Sequence, residues 1–159
     1  MRRFAYIILF LAPLSLLAQV EDHIRSGNHL YNDGEFDKAE NAYNKALSQD
    51  AESYEGAFNL GDSYFRQEKY EEAAAQFESI AEDAKDANTK SWAYHNQGNS
   101  LLQNQKLDES IEAYKNALRS NPNNSAARYN MAYAKQLKKQ EEEQDQKEDG
   151  KDKENEDKK

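Results

Sequence analysis

The chain has 159 residues, a formal net charge of −9 from 21 Lys and Arg against 30 Asp and Glu, and no cysteine. That excludes disulfides, thiolate metal sites, a cysteine nucleophile and a lipidated amino-terminal cysteine. An acidic chain without a localised basic patch offers nothing to nucleic acid or an anionic membrane surface. Six glycines and two prolines, beside abundant Ala, Glu, Lys, Gln, Asn and Tyr, favour helix over sheet and predict an all-α fold.

Met1-Arg2-Arg3 precedes an apolar run from Phe4 to Ala18, and Glu21 and Asp22 follow it. The run is shorter than the ~20 residues a membrane span needs. Its order of positive start, apolar stretch and small residue is that of a secretory signal, so residues 1–18 are expected to direct export, with a mature start at Gln19. Leu16, three positions before that cut, is bulkier than the small residue preferred there. Retention of the segment as an N-terminal membrane anchor is the competing expectation.

Gly27, Gly61 and Gly98 then open three similar strings, GNHLYNDGEFDKAENAYNKAL, GDSYFRQEKYEEAAAQFESIA and GNSLLQNQKLDESIEAYKNAL, at intervals of 34 and 37 residues. Each glycine is followed at fixed offsets by an apolar residue (Leu30, Tyr64, Leu101), a second (Phe36, Tyr70, Leu107), a small residue (Ala39, Ala73, Ser110), an aromatic (Tyr43, Phe77, Tyr114) and Ala46, Ile80 or Ala117. Small residues let two helices approach while aromatics fill the space between hairpins. Helices are expected near 21–33, 37–48, 52–67, 71–84, 89–104, 108–119 and 124–143. Gly34 suits a tight turn that Glu68 and Gln105 make without glycine. Asp37 with Glu40 reads as a capping box, and Asn88-Thr89 as a cap for the fifth helix. Pro122 stops the sixth. The seventh has an expected apolar face of Tyr129, Met131, Ala132 and Leu137, and residues 144–159, nearly all charged or amide, are expected to form a disordered tail.

A period near 34 residues with this alternation resembles the tetratricopeptide repeat (TPR). The resemblance implies a TPR solenoid over 19–143: three helix-turn-helix repeats at about 20–53, 54–87 and 91–124, and a C-terminal capping helix at 125–143. The tryptophan usual near the start of each unit is replaced by His23, Ala57 and Tyr94. The three extra residues fall within Asp83–Lys90, where they are expected to alter the angle between units two and three.

Catalysis is not expected: the three histidines lack H-E-x-x-H spacing, and no phosphate loop or serine elbow appears. No cofactor, metal or small-molecule substrate is predicted. The tyrosines at repeat positions are expected in the core rather than on a sugar-binding face, and His95 at a partly exposed surface. The TPR likeness implies a concave groove lined by Asn28, Tyr31 and Asn32 from unit one; Phe58, Asn59, Asp62, Phe65 and Arg66 from unit two; Trp92, His95, Asn96, Asn99 and Leu102 from unit three; and Tyr129, Asn130 and Tyr133 from the cap. Asn59, Asn96 and Asn130 share one repeat position. Their carboxamides either hold an extended peptide backbone or bond locally within the fold.

In the dicarboxylate clamp of chaperone-binding TPR domains, the two asparagines match Asn28 and Asn59, but the three basic positions fall on Ile24, Trp92 and Asn96. An acidic peptide terminus is therefore excluded as the ligand. The export-type start, three units and the segment NPNNSAARYNMAYAKQLKKQEEE, running into a charged tail, resemble the BatC-like small TPR proteins of Bacteroides-type aerotolerance operons. Other products of such operons include a MoxR-like ATPase and membrane proteins with von Willebrand factor A domains. That likeness implies a periplasmic adaptor, at or near the inner membrane, for a membrane-anchored protein of the latter kind. The alternative is a TPR factor for envelope or outer-membrane assembly outside that operon.

Overall fold

The computed structural model describes residues 12–156 and consists of seven helices: α1 (Ala12–Asn32), α2 (Phe36–Gln49), α3 (Tyr54–Arg66), α4 (Tyr70–Asp83), α5 (Ala87–Gln103), α6 (Leu107–Ser120) and α7 (Ser125–Glu156). Each helix packs on the next in chain order, so α1/α2, α3/α4 and α5/α6 are stacked hairpins and α7 closes the array against α6. Tyr43, Phe77 and Tyr114, the aromatic of each unit, are the largest fully buried side chains. Each ring lies flat over the glycine that opens its own unit. A Cβ would sit 2.4 Å from the Tyr43 ring at Gly27, 2.8 Å from Phe77 at Gly61 and 2.6 Å from Tyr114 at Gly98. Burying rings of this size is a leading source of stability, and here it requires that the facing helix carry no side chain. Ala39, Ala73 and Ser110 are fully buried beside them.

The three turns within the hairpins, α1–α2, α3–α4 and α5–α6, share one geometry. Gly34 (φ 80°), Glu68 (φ 61°) and Gln105 (φ 60°) are left-handed. The following N–H groups of Glu35, Lys69 and Lys106 donate back to Leu30, Tyr64 and Leu101 O at 2.9, 3.0 and 2.9 Å. This is a Schellman closure, which satisfies the last carbonyls of the first helix and reverses the chain. The turns are also tied to the preceding unit. Gln67 and Lys69 both donate to Glu40 at 2.9 Å, Asn104 and Lys106 donate to Glu71 at 3.3 and 2.7 Å, and Lys138 of α7 pairs with Asp108. Such exposed pairs each contribute little, but they recur once per junction and fix the register of the stack.

Several expected boundaries are corrected. The N-cap of α2 is Glu35, which makes no side-chain cap bond, so Asp37 lies in the first turn rather than forming a capping box. Asp86, not Asn88 or Thr89, caps α5, accepting from Asn88 N at 3.0 Å and Thr89 N at 2.8 Å. At the start of α7, the Asn124 side chain accepts from Ala127 N at 3.0 Å, while its amide donates to Ser91 Oγ at 3.0 Å and Ser91 donates to Ala117 O at 2.8 Å. This buried relay bolts the capping helix to unit three.

Within the described residues helix α1 runs from Ala12 without a break through Ala18-Gln19, since Leu, Ala and Gln propagate a helix. Helix α7 runs to Glu156 rather than ending near 143. Its Lys, Glu and Gln residues are good helix formers, supported by the pairs Lys138–Glu142 and Lys139–Glu143. Its buried face is Ala127, Met131 and Ala134, whereas Tyr129 and Ala132, expected on that face, are exposed. The first eleven residues, including most of the apolar run, lie outside the described residues. No helix among those described is long and apolar enough to cross a membrane.

Candidate functional site

The first helices of the units, α1, α3, α5 and α7, line one face, and a carboxamide ladder runs across it. The residue after the opening glycine of unit one, Asn28, accepts through Oδ1 from Tyr43 OH at 2.7 Å and from the Asn59 amide of the next unit at 2.9 Å. Unit three repeats the arrangement: Asn99 Oδ1 accepts from Tyr114 OH at 2.8 Å and from the Asn130 amide of α7 at 2.8 Å. Burial pushes both phenols up to about 12, so they remain donors at neutral pH. Asn59 and Asn130 thus bond within the fold, the second of the two alternatives that their repeat position left open.

The middle rung is missing. In unit two the residue after the glycine is Asp62 and the aromatic is Phe77, which has no hydroxyl, and the Asn96 amide of unit three makes no bond to Asp62. Accordingly α1 packs on α3 and α5 on α7, whereas α3 and α5 do not come together to a comparable extent. This junction also holds the three extra residues. Asp62 is half-buried and has no hydrogen-bond or ion-pair partner among the described residues; desolvation alone pushes its carboxyl up to about 6.

Two solvent-open pockets lie on this face. The first, of about 340 Å³, is lined by Asn28, Tyr31, Asn32, Tyr43, Glu55, Asn59 and Asp62. The second, of about 340 Å³, is lined by Phe65, Asn99, Leu102, Gln103, Tyr129, Asn130 and Tyr133. Of the other expected groove residues, Arg66 stacks over the rings of Tyr31 and Phe36, at 5.6 and 4.5 Å from their centroids. Phe58 is turned into the packing around Phe77, 6.0 Å between ring centroids. Trp92 is 51% exposed, with its ring 5.5 Å from His95, and Asn96 is half-buried.

His95 is not the surface residue expected. It is 7% exposed, with Nε2 3.1 Å from the Asn130 amide, and burial holds its imidazole below the usual value, so it is neutral at pH 7. As Asn130 Nδ2 donates to Nε2, the ring proton belongs on Nδ1, which is buried without a partner. Glu55 and Gln103 were missed. Each continues a helical stripe, 55–59–62–66 and 92–96–99–103, that the three- and four-residue spacing carried. Among the described residues no cluster of His, Cys, Asp or Glu could hold a metal ion.

Comparison with known proteins agrees with this architecture. A tetratricopeptide-repeat model matches residues 24–88 and a TPR-repeat model matches 98–138, together more than half of the chain. No curated protein matches the sequence significantly. Among solved structures, the first TPR domain of human RPAP3 is 24% identical with a TM-score of 0.68, the match covering 79% of this chain and 96% of that one. The second TPR domain of human RPAP3, in complex with the HSP70 peptide SGPTIEEVD, is 22% identical with a TM-score of 0.66 over 76% and 98%. MamA of Desulfovibrio magneticus RS-1 is 20% identical with a TM-score of 0.67 over 76% and 66%. At these identities the likeness is one of fold. With the two family models, the shared hairpin geometry and the glycine-under-aromatic packing repeated three times, the chain belongs to the tetratricopeptide-repeat proteins, whose fold is a protein-interaction module rather than a catalytic one.

Proposed function

We propose that this chain is an exported, non-enzymatic scaffold that holds an extended segment of an envelope protein against its concave face. The observation that carries the groove reading is the pair of open pockets on one face, with Trp92, Tyr129 and Tyr133 exposed along it at 51, 75 and 49%. Large aromatics left uncovered on a concave surface are the side chains that dominate peptide and protein binding. The acidic HSP70 peptide held by the RPAP3 domain is not the ligand class proposed here, because Ile24, Trp92 and Asn96 stand where a carboxylate would need cations.

The proposed partners are membrane-anchored envelope proteins with von Willebrand factor A domains, as in a BatC-like complex, and the proposed location is the periplasm. Support comes from the apolar run behind Arg2-Arg3, the three units, and the segment Asn121–Glu143 leading into a charged tail.

The groove reading is tested with the triple variant Trp92→Ala, Tyr129→Ala, Tyr133→Ala, whose side chains are exposed, so the fold should persist. Affinity capture of the tagged full chain at native levels should lose its envelope partner in the variant; undiminished recovery would count against groove binding. Fractionation tests export separately, since cytoplasmic protein retaining its first eighteen residues would overturn it.

A further inference from the structure

The carboxamide ladder makes one position conspicuous by comparison within the chain itself. Asn28 and Asn99 are neutral, and each has its side-chain oxygen filled by two donors. Asp62 occupies the same repeat position with a full negative charge and neither donor, because Phe77 replaces the tyrosine and Asn96 stays away. A half-buried carboxylate without a partner costs stability. It lines a cavity of about 340 Å³ open on the concave face, roomy enough for a lysine or arginine side chain. The remaining polar lining is a second carboxylate, Glu55, with carbonyl-bearing Asn28, Asn32 and Asn59 and the Tyr31 and Tyr43 rings. No lysine or arginine lines the cavity, and the nearest on the same helix stripe, Arg66, is engaged over Tyr31 and Phe36.

We propose that this cavity is a cation-anchoring pocket, in which Asp62 pairs with a lysine or arginine side chain of the peptide segment held in the groove. The inference rests on the groove reading above and gives its ligand a required chemistry. The anchor supplies the two missing donors of the middle rung, Glu55 adds a second negative charge, and the aromatic faces of Tyr31 and Tyr43 suit the apolar stem and the cation alike. The preference in charge is opposite to that for an acidic peptide tail.

The test begins by selecting a display library of short random peptides on the purified full chain and measuring the enriched peptides in solution by calorimetry. Enriched sequences should share a basic residue. Asp62→Asn, which installs the residue found at the two equivalent positions, should weaken them by roughly ten- to hundredfold. Glu78→Gln, exposed on α4, should leave affinity unchanged. Replacing the shared basic residue by glutamine should weaken binding to the native chain but have little effect on Asp62→Asn, the non-additivity expected of a direct pair. Peptides that compete for the Trp92–Tyr129–Tyr133 surface yet lack a basic residue, or bind Asp62→Asn equally well, would overturn the anchor and leave the groove reading standing. Failure to recover any peptide that competes for that surface would overturn both.

Discussion

The Asn59 amide donates to the Asn28 carbonyl oxygen at 2.9 Å, joining the first helices of two successive repeats through one carboxamide that also accepts the Tyr43 hydroxyl. Asn28 is therefore a structural hub. Asn28→Ala leaves a buried phenol and an amide without acceptors, and should lower stability by about 1–3 kcal/mol in urea denaturation. Asn99→Ala should behave alike, since it strands Tyr114 and Asn130.

Asp62→Asn should stabilise the protein. The folded carboxyl is raised to about 6 from 3.8, so between about pH 4 and 6 the folded state binds more protons than the unfolded one. Stability from this group rises as pH falls through that window and is lost as pH rises above it. Glu55 and the Tyr31 and Tyr43 phenols share the cavity, and Arg66 lies one turn along α3. The advantage of Asp62→Asn should be absent below pH 4, grow through pH 6 and level off at up to about 3 kcal/mol, as read by chemical denaturation across pH.

Gly61→Ala places a methyl 2.8 Å from the Phe77 ring, which is buried and has nowhere to move. Overpacking of this kind should cost about 1–3 kcal/mol, and Gly27→Ala and Gly98→Ala should follow. Calorimetric melting of the three variants checks the series.

Glu68→Gly and Gln105→Gly relieve a left-handed backbone that Gly34 adopts freely at the equivalent turn. Each should gain up to about 1 kcal/mol, reduced by the extra freedom glycine gives the unfolded chain. Gly34→Ala should lose stability despite open space around the Cβ, because its φ of 80° is the obstacle rather than any contact. Thermal denaturation of the three variants tests the sign of each.

The repeat was legible because its determinants are local and periodic: a glycine, a small residue and an aromatic at fixed offsets state both the helix faces and the packing between them. Asn59 and Asn130 show where that reading stopped. Spacing placed them on the correct face, but whether an amide faces solvent or a neighbouring carbonyl depends on the approach of the next repeat, a tertiary distance. His95 failed for the same reason, since the capping helix that buries it begins some thirty residues later. Helix α7 illustrates another limit. Its charged continuation has nothing to bury, yet residues that solvate a chain in disorder also propagate a helix once Asn124 caps its start and its first turns pack on α6. The middle rung was visible only in outline, as an aspartate and a phenylalanine where the flanking units have asparagine and tyrosine.

That absent rung leaves the concave side of the middle junction without the carboxamide tie that joins units one and two and joins unit three to α7, while the packing of α4 on α5 behind it is the most extensive between successive units. A segment seated in both pockets would give the concave side of that junction a bridge that the chain does not itself provide there.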